Sequence, residues 1–156
     1  MTVLVLLSAA VACRGSEPRV QTAATLAGDW VLVEREGQRL PATSHRTLPG
    51  IGTCTSVLIR SVVSLRADGT WTEEVEARTW CDGSPEPDTS ALERSSGRFE
   101  LRGTRGDTIN LFTADENPAN HQKGVISGDE LQLEYALPAR NTTTIRYRYE
   151  RAQADR

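Results

Sequence analysis

The stretch that decides the fold runs from Leu26 to Pro41 and reads L-A-G-D-W-V-L-V-E-R-E-G-Q-R-L-P. Gly28 stands two residues before Trp30, an apolar β-favouring run follows, and a polar turn at 36–38 ends that run. Bulky aliphatic and aromatic side chains favour a pleated strand, and a glycine-containing polar turn favours its end. We predict that this run is the first strand of a β-barrel and that Trp30 plugs one end of the barrel.

The rest of the chain, through Arg151, alternates apolar and polar side chains with a period of two. Turn signals recur about every ten residues, which is typical of an all-β sandwich or barrel. We therefore predict one all-β domain over residues 26–151, an antiparallel up-and-down barrel of about eight strands. The predicted connections include three polar loops, over residues 42–52, 82–90 and 114–121. A disordered tail over residues 152–156 is predicted to follow the domain.

The clearest hairpin has strands over residues 55–66 and 70–80 and turns at 67–69. Directly opposed residues of antiparallel strands point to the same face, so Leu65 must face Trp71 to keep the two apolar faces together. A three-residue loop ending in glycine satisfies this register. Extended along the hairpin, the register predicts inward side chains at Val57, Ile59, Val63, Leu65, Trp71, Val75 and Ala77.

The same register points Glu73 inward, opposite Val63. Either Glu73 is a polar group inside a cavity, or a bulge turns it outward. The cost of burying an unpaired carboxylate favours the bulge or a wet barrel mouth.

The first twelve residues, M-T-V-L-V-L-L-S-A-A-V-A, form an apolar run too short to span a bilayer as a helix. The run ends in the small residues Ala10 and Ala12, directly before Cys13. This pattern resembles the lipobox of bacterial lipoproteins, although Ala10 stands where that family usually has leucine and the run carries no Lys or Arg. The resemblance implies a signal peptide over 1–12, cleavage before Cys13 and acylation of that cysteine. An ordinary secretory peptide cleaved nearby is the alternative.

Residues 13–25 combine the acylated cysteine with a segment rich in Gly, Ser and Pro, and we predict a flexible tether there. Arg14, rather than aspartate, follows Cys13. By the same resemblance this implies no retention at the inner membrane, so the expected location is the outer membrane, facing the periplasm. In that oxidising compartment the remaining pair, Cys54 and Cys81, predicts a structural disulfide, although the hairpin register places Cys81 opposite Thr55.

The segment Gly28-Asp29-Trp30, the hairpin-only connections and the arginine-rich last strand resemble the lipocalin-like (calycin) family. The resemblance implies that Trp30 closes the barrel floor with a late arginine packed over it, and Arg146, Arg148 and Arg151 are the candidates. The sequence lacks the C-terminal helix that lipocalins usually have. It therefore looks more like the compact lipocalin-like domains of bacterial lipoproteins.

Composition and motifs narrow the function classes. The chain has 156 residues, 25% of them charged, with a net charge of −3, and a nucleic-acid binder would normally present a basic face. No nucleophile elbow or phosphate-binding loop is present, and His45 and His121 lack metal-ligand spacing. We expect no nucleic-acid partner, no cofactor, no metal and no enzymatic activity. An enzyme would need one of these histidines beside a carboxylate in a pocket.

The inward-pointing side chains can either line a ligand cavity or fill a solid core, because an eight-stranded barrel is wide enough for both. The family resemblance favours a cavity, with the following candidate lining residues: Trp71, Glu73, Val75, Phe99, Tyr135, Tyr147 and Tyr149. The leading hypothesis is a non-enzymatic envelope lipoprotein that binds a small, partly apolar ligand. The alternative is a protein-interaction or inhibitor module of the envelope that acts through the three polar loops.

Overall fold

A computed structural model describes residues 20–82, 88–114, 121–136 and 144–153. It contains one short helix, α1 (Ala23–Leu26), and ten strands: β1 (Gly28–Arg35), β2 (Gln38–Arg39), β3 (Ala42–Leu48), β4 (Gly52–Leu65), β5 (Thr70–Cys81), β6 (Asp88–Arg102), β7 (Thr108–Thr113), β8 (His121–Ser127), β9 (Glu130–Ala136) and β10 (Thr144–Arg151). The predicted signal peptide, Cys13 and residues 154–156 lie outside the described residues.

Eight of these strands close into a barrel. Each of the strands from β4 to β9 pairs with the next strand along the chain, β10 pairs with β1, and β1 pairs with β4. All of these pairings are antiparallel. The predicted fold class, an antiparallel up-and-down barrel of eight strands, is confirmed.

Among the described residues, the barrel closes through pairs between β1 and β4 near Trp30. Strand β1 pairs with β4 from Gly28 opposite Leu65 to Val31 opposite Val62. Beyond these pairs the two strands take different partners, since the end of β1 pairs with β2 and the start of β4 pairs with β3. The strands β1 and β4 therefore separate toward the other end of the barrel.

Strand β3 corrects the predicted loop over residues 42–52, because residues 42–48 are a strand. Once β4 has left β1, its backbone N–H and C=O groups need new partners, and the Thr-rich segment before it supplies them. Two other predicted loops are shorter than expected: β6 begins at Asp88 and β8 begins at His121. Residues 83–87 and 115–120 of those loops lie outside the described part of the chain.

The closed end is filled by Trp30, which is fully buried. Its indole Nε1 donates a hydrogen bond to the Leu26 carbonyl oxygen at 3.2 Å. The Arg151 guanidinium carbon lies 5.0 Å from the centre of the Trp30 ring, and Arg151 Nη2 donates to the Thr25 carbonyl oxygen at 2.6 Å. Of the three candidate arginines, Arg151 is therefore the one that packs over the tryptophan.

The ordered domain begins before the predicted boundary at Leu26. The Gln21 amide donates to the Arg105 carbonyl oxygen at 2.8 Å, and Thr22 caps α1 in a reciprocal capping box with Thr25. Leu26 is buried in the core. Residues 21–25, which the sequence assigned to the tether, instead cap the barrel. At the other terminus, the Ala152 amide donates to Asp29, so pairing also extends one residue past the predicted end.

A bulge at Ile59 changes the predicted hairpin register. Leu65 does face Trp71 and Val63 does face Glu73, but the register shifts between Leu58 and Arg60. One extra residue in a strand reverses the side-chain alternation beyond it. Leu58 therefore faces Ala77 and is buried, and the predicted inward positions of Val57 and Ile59 are wrong.

The bulge also explains the disulfide. It moves Cys81 from the predicted position opposite Thr55 to a position directly opposite Cys54, and the two cysteines are bonded. The predicted disulfide is thus confirmed, at the end of the β4–β5 hairpin away from Trp30. A bond across a sequence separation of 27 contributes about 3 kcal/mol in the chain-entropy model.

The packing of Arg151 over Trp30 generates a stability prediction. The variant Arg151→Met loses a charged hydrogen bond and a cation–π contact, so we expect the free energy of unfolding to fall by about 2 kcal/mol. Urea denaturation followed by circular dichroism measures this change. Arg102→Met is the matched control, because the Arg102 side chain is 65% exposed in its pair with Glu100 and should cost under about 0.5 kcal/mol. Equal losses in the two variants would contradict the capping role of Arg151.

Candidate functional site

The candidate site is a cavity of about 340 Å³ in the half of the barrel away from Trp30. It lies where β1 and β4 have separated, and it extends to the wall formed by β5, β9 and β10. The side chains that line it are Arg35, Ser56, Leu58, Ser61, Glu73, Val75, Ala77, Glu93, Gln122, Tyr135, Tyr147 and Tyr149.

Five of the seven residues predicted for the cavity line it: Glu73, Val75, Tyr135, Tyr147 and Tyr149. The other two, Trp71 and Phe99, are buried in the hydrophobic core instead. Trp71 faces Leu65, which itself pairs with Gly28 at the closed end. Alternation correctly predicted that these two side chains point inward, but it does not predict how far along the barrel axis they lie.

Trp71 is held in the core by its own hydrogen bonds. Its Nε1 donates to the carbonyl oxygens of Arg98, at 3.1 Å, and Phe112, at 3.2 Å. The close approach of Phe112 requires a glycine at position 97, because a Cβ there would overlap the Phe112 carbonyl oxygen. Since its indole N–H is already hydrogen-bonded and the residue is only 1% exposed, Trp71 belongs to the base of the barrel.

At the bottom of the cavity three side chains form a polar floor, consisting of Ser61, Glu73 and Tyr149. Glu73 Oε1 accepts hydrogen bonds from Ser61 Oγ at 2.8 Å and from Tyr149 Oη at 3.1 Å. The two hydroxyl oxygens lie 3.3 Å apart. Each hydroxyl has a single proton, so donation of both protons to Glu73 leaves that third contact as simple proximity. Ser61 and Tyr149 are each 2% exposed, and Glu73 is half-buried.

Glu73 is therefore a polar group inside a cavity, and the outward-turning bulge, which the sequence favoured together with a wet barrel mouth, is absent at this residue. The strand does not bulge at this residue, since Val63 still pairs with Glu73 and the irregularity lies at Ile59. The two hydroxyls replace part of the hydration that the carboxylate loses on burial, which is the condition for keeping a polar group inside.

The pKa values of the two tyrosines of β10, Tyr147 and Tyr149, are both raised. Burial, and next the negative charge of Glu73, raise the pKa of Tyr149 well above its usual value. Burial also raises the pKa of Tyr147, while the neighbouring Arg35 charge opposes this rise. Both phenols are consequently neutral at physiological pH, and Tyr149 remains a hydrogen-bond donor to Glu73.

Arg35 brings a positive charge to the cavity. It is directly opposite Tyr147 in the β1–β10 ladder, and its Nη1 donates to Ser44 Oγ at 3.2 Å. A register shift at Val33 reverses the alternation of β1, so that Trp30, Leu32 and then Arg35 point inward. The cavity thus combines a guanidinium, a carboxylate, phenol hydroxyls and aliphatic surface.

Sequence reasoning missed Arg35, Ser61, Gln122 and Glu93 as lining residues. The sequence could have predicted Ser61, because Ser61 lies on the same face of β4 as the inward-pointing Val63 and Leu65. Arg35 was not, since strict alternation from Trp30 places Glu34 inward and only the register shift reveals Arg35. Gln122 directly follows the predicted loop over residues 114–121, and Glu93 faces Val75 at the exposed rim.

The two histidines are not among the residues that line this cavity. His45 Nδ1 lies 3.0 Å from Thr55 Oγ1 on the exposed β3–β4 hairpin, and the His121 ring stacks on Phe112 with centroids 5.0 Å apart. Within residues 20–82, 88–114, 121–136 and 144–153, no group of three or more His, Cys, Asp and Glu side chains is arranged to hold a metal ion. No helix in these ranges is both long enough and apolar enough to cross a membrane.

The polar floor generates a prediction about alkaline stability. Because the pKa of Tyr149 is raised in the folded protein, its stabilising contribution is complete below the unfolded-state pKa of about 10 and is lost as the pH rises above it. The variant Tyr149→Phe removes this titration, so its free energy of unfolding should fall less steeply above about pH 10. Urea denaturation at pH values from 8 to 11.5 measures both slopes. Parallel curves for variant and wild type would contradict the prediction.

No protein-family model matches the sequence, and comparison with curated proteins finds no significantly similar relative. The likeness to lipocalin-like proteins therefore rests on the closed eight-stranded antiparallel barrel and on the packing of Arg151 over Trp30.

Proposed function

We propose that the protein is a lipoprotein of the bacterial envelope whose barrel binds a small, partly apolar ligand without transforming it. The observation that carries the binding role is the cavity above the polar floor. Its volume of about 340 Å³ falls at the lower end of the range of small-molecule pockets, about 300–1,000 Å³.

The chemistry of the lining supports a partly apolar ligand. Leu58, Val75 and Ala77 provide aliphatic surface, and the rings of Tyr135 and Tyr147 provide aromatic surface. Glu73 and Arg35 add a few polar contacts that can orient a ligand. Predominantly apolar walls with a small number of placed polar groups are typical of ligand sites.

The division of the barrel into two halves supports the same role. In the closed half, Trp30, Trp71 and Arg151 are used for packing and hydrogen bonding with other parts of the chain. In the other half, β1 and β4 have separated, and exposed residues such as Glu93 reach the cavity. A ligand would enter from this side, because the structural contacts concentrate at the opposite end.

The lipoprotein part of the proposal is supported by the residues before the barrel. The small residues Ala10 and Ala12 precede Cys13 in a lipobox-like arrangement. The Cys54–Cys81 disulfide agrees with an oxidising compartment such as the periplasm. Anchoring at the outer membrane through an acylated Cys13 would place the cavity where it can meet envelope metabolites.

Filling the cavity should weaken ligand binding. The neutral fluorescent probe 1-aminoanthracene should bind the wild-type domain, and Val75→Trp should weaken its binding at least about tenfold, since the indole occupies the ligand volume. Val125→Trp is the matched control, because Val125 is 55% exposed on β8 and its variant should bind like the wild type. Fluorescence titration measures the affinities, and native mass spectrometry of the domain purified from envelopes reports any retained ligand.

Equal binding to the two tryptophan variants would place the probe outside the cavity and contradict the proposal. A stoichiometric protein partner retained by both variants, with no small molecule, would favour the interaction module instead.

The anchor is tested separately on the full chain expressed in a bacterium with an outer membrane. After growth with an alkyne-labelled fatty acid, the wild-type protein should carry the label, and Cys13→Ser should lose it because the thiol that accepts the lipid is absent. The Cys54→Ser/Cys81→Ser double variant should keep the label. Unchanged labelling of Cys13→Ser, read by gel fluorescence and mass spectrometry, would exclude this anchor.

A further inference from the structure

Two of the charged side chains that line the cavity have opposite signs and do not pair with each other. Glu73 and Arg35 both line it, yet neither takes part in any ion pair among the described residues. Glu73 Oε1 is occupied by Ser61 and Tyr149, whereas Glu73 Oε2 accepts no hydrogen bond within the described part of the chain. Glu73 Oε2 and the Arg35 donors that are not engaged by Ser44 and the Tyr147 hydroxyl are therefore available to a ligand.

Both charges act on the same phenol of β10. Arg35, which is opposite Tyr147 in the β1–β10 ladder, lowers the pKa of Tyr147, whereas Glu73 raises it. The two charges therefore lie in the same part of the cavity, close to Tyr147. A ligand that is bonded to both must carry its own two charges close together.

We propose that the cavity recognises a compact zwitterion of the α-amino acid type, with an apolar side chain. This inference rests on the proposed ligand-binding function and specifies the ligand class. The ligand's ammonium binds Glu73 Oε2, and its carboxylate binds the Arg35 guanidinium, whose planar fork suits a carboxylate. The apolar side chain lies against Leu58, Val75 and Ala77.

A ligand with a single charge fits these side chains less well. A simple amine would satisfy Glu73 and leave Arg35 without an anion in the closed complex, and a simple carboxylate would do the reverse. An uncompensated charge in a partly dehydrated site costs more than a paired one. The remaining lining carboxylate, Glu93, lies at the exposed rim, where solvent screens it.

Three small molecules with the same phenyl group test the inference on the wild-type domain. They are L-phenylalanine, phenethylamine, which lacks the carboxylate, and 3-phenylpropionate, which lacks the ammonium. We expect L-phenylalanine to bind at least about tenfold more tightly than either, since each lost ionic hydrogen bond is worth about that factor. Isothermal titration calorimetry and displacement of 1-aminoanthracene measure the three affinities.

Charge-removing variants assign each contact. Glu73→Gln should weaken L-phenylalanine and phenethylamine about tenfold and leave 3-phenylpropionate unchanged, because only the ammonium contact is lost. Arg35→Gln should weaken L-phenylalanine and 3-phenylpropionate and leave phenethylamine unchanged. Glu76→Gln and Arg78→Gln are matched controls on β5 outside the cavity lining, and both should bind all three molecules like the wild type.

The outcomes separate this inference from the proposed function. If 1-aminoanthracene binds the cavity but L-phenylalanine binds no more tightly than the two singly charged molecules, the zwitterion is excluded and the binding function stands. If neither the probe nor any of the three molecules binds, the proposed function itself fails. If circular dichroism shows that Glu73→Gln does not fold, the comparison of the three molecules on the wild type decides the question.

Discussion

The short ladder between β1 and β4 is the constraint on which the rest of the structure depends. It joins the first strand of the barrel to a strand more than thirty residues later in the sequence, around the buried Trp30. Without these pairs the sheet is open, and the remaining antiparallel hairpins have no reason to curve back on themselves. Helix α1 and Arg151 then cover the tryptophan: the Leu26 carbonyl oxygen accepts the indole hydrogen bond, and Arg151 packs over the ring while donating to the Thr25 carbonyl oxygen.

The same ladder creates the cavity by ending early. After Val31 and Val62 the two strands separate, and each takes its own edge strand, β2 or β3, to satisfy its backbone groups. Apolar packing continues below this point, where the large aromatic residues lie. Above it, more polar side chains point inward, among them Arg35, Glu73 and Tyr147, and they leave a cavity between them. The barrel therefore has a solid base and a hollow upper half, and the structural and binding roles are divided along its axis.

Two register shifts decide the chemistry of the hollow half. The shift at Val33 turns Arg35 inward, and the shift at Ile59 turns Leu58 inward and places Cys54 against Cys81. Each shift adds one residue to one strand, which is enough to exchange the inner and outer faces beyond it. Glu73 needs no such shift, because the hydroxyls of Ser61 and Tyr149 compensate its carboxylate in place. The result is a cavity in which the Arg35 guanidinium and the Glu73 carboxylate face a common space, with Glu93 at its exposed rim.

The sequence by itself determined the all-β class, the antiparallel up-and-down barrel, the plug at Trp30, the β4–β5 turn and the cysteine pair, because alternation and turn chemistry are local properties. It also placed all three tyrosines and Val75 on the inner face, and its hairpin register pointed Glu73 inward. Only the tertiary structure decided which inward residues fill the base and which line the cavity, because their height along the axis depends on where β1 and β4 part. The inward turn of Arg35, the formation of β3 and the packing of residues 21–25 under the barrel likewise depend on pairing with distant strands, which no local pattern records.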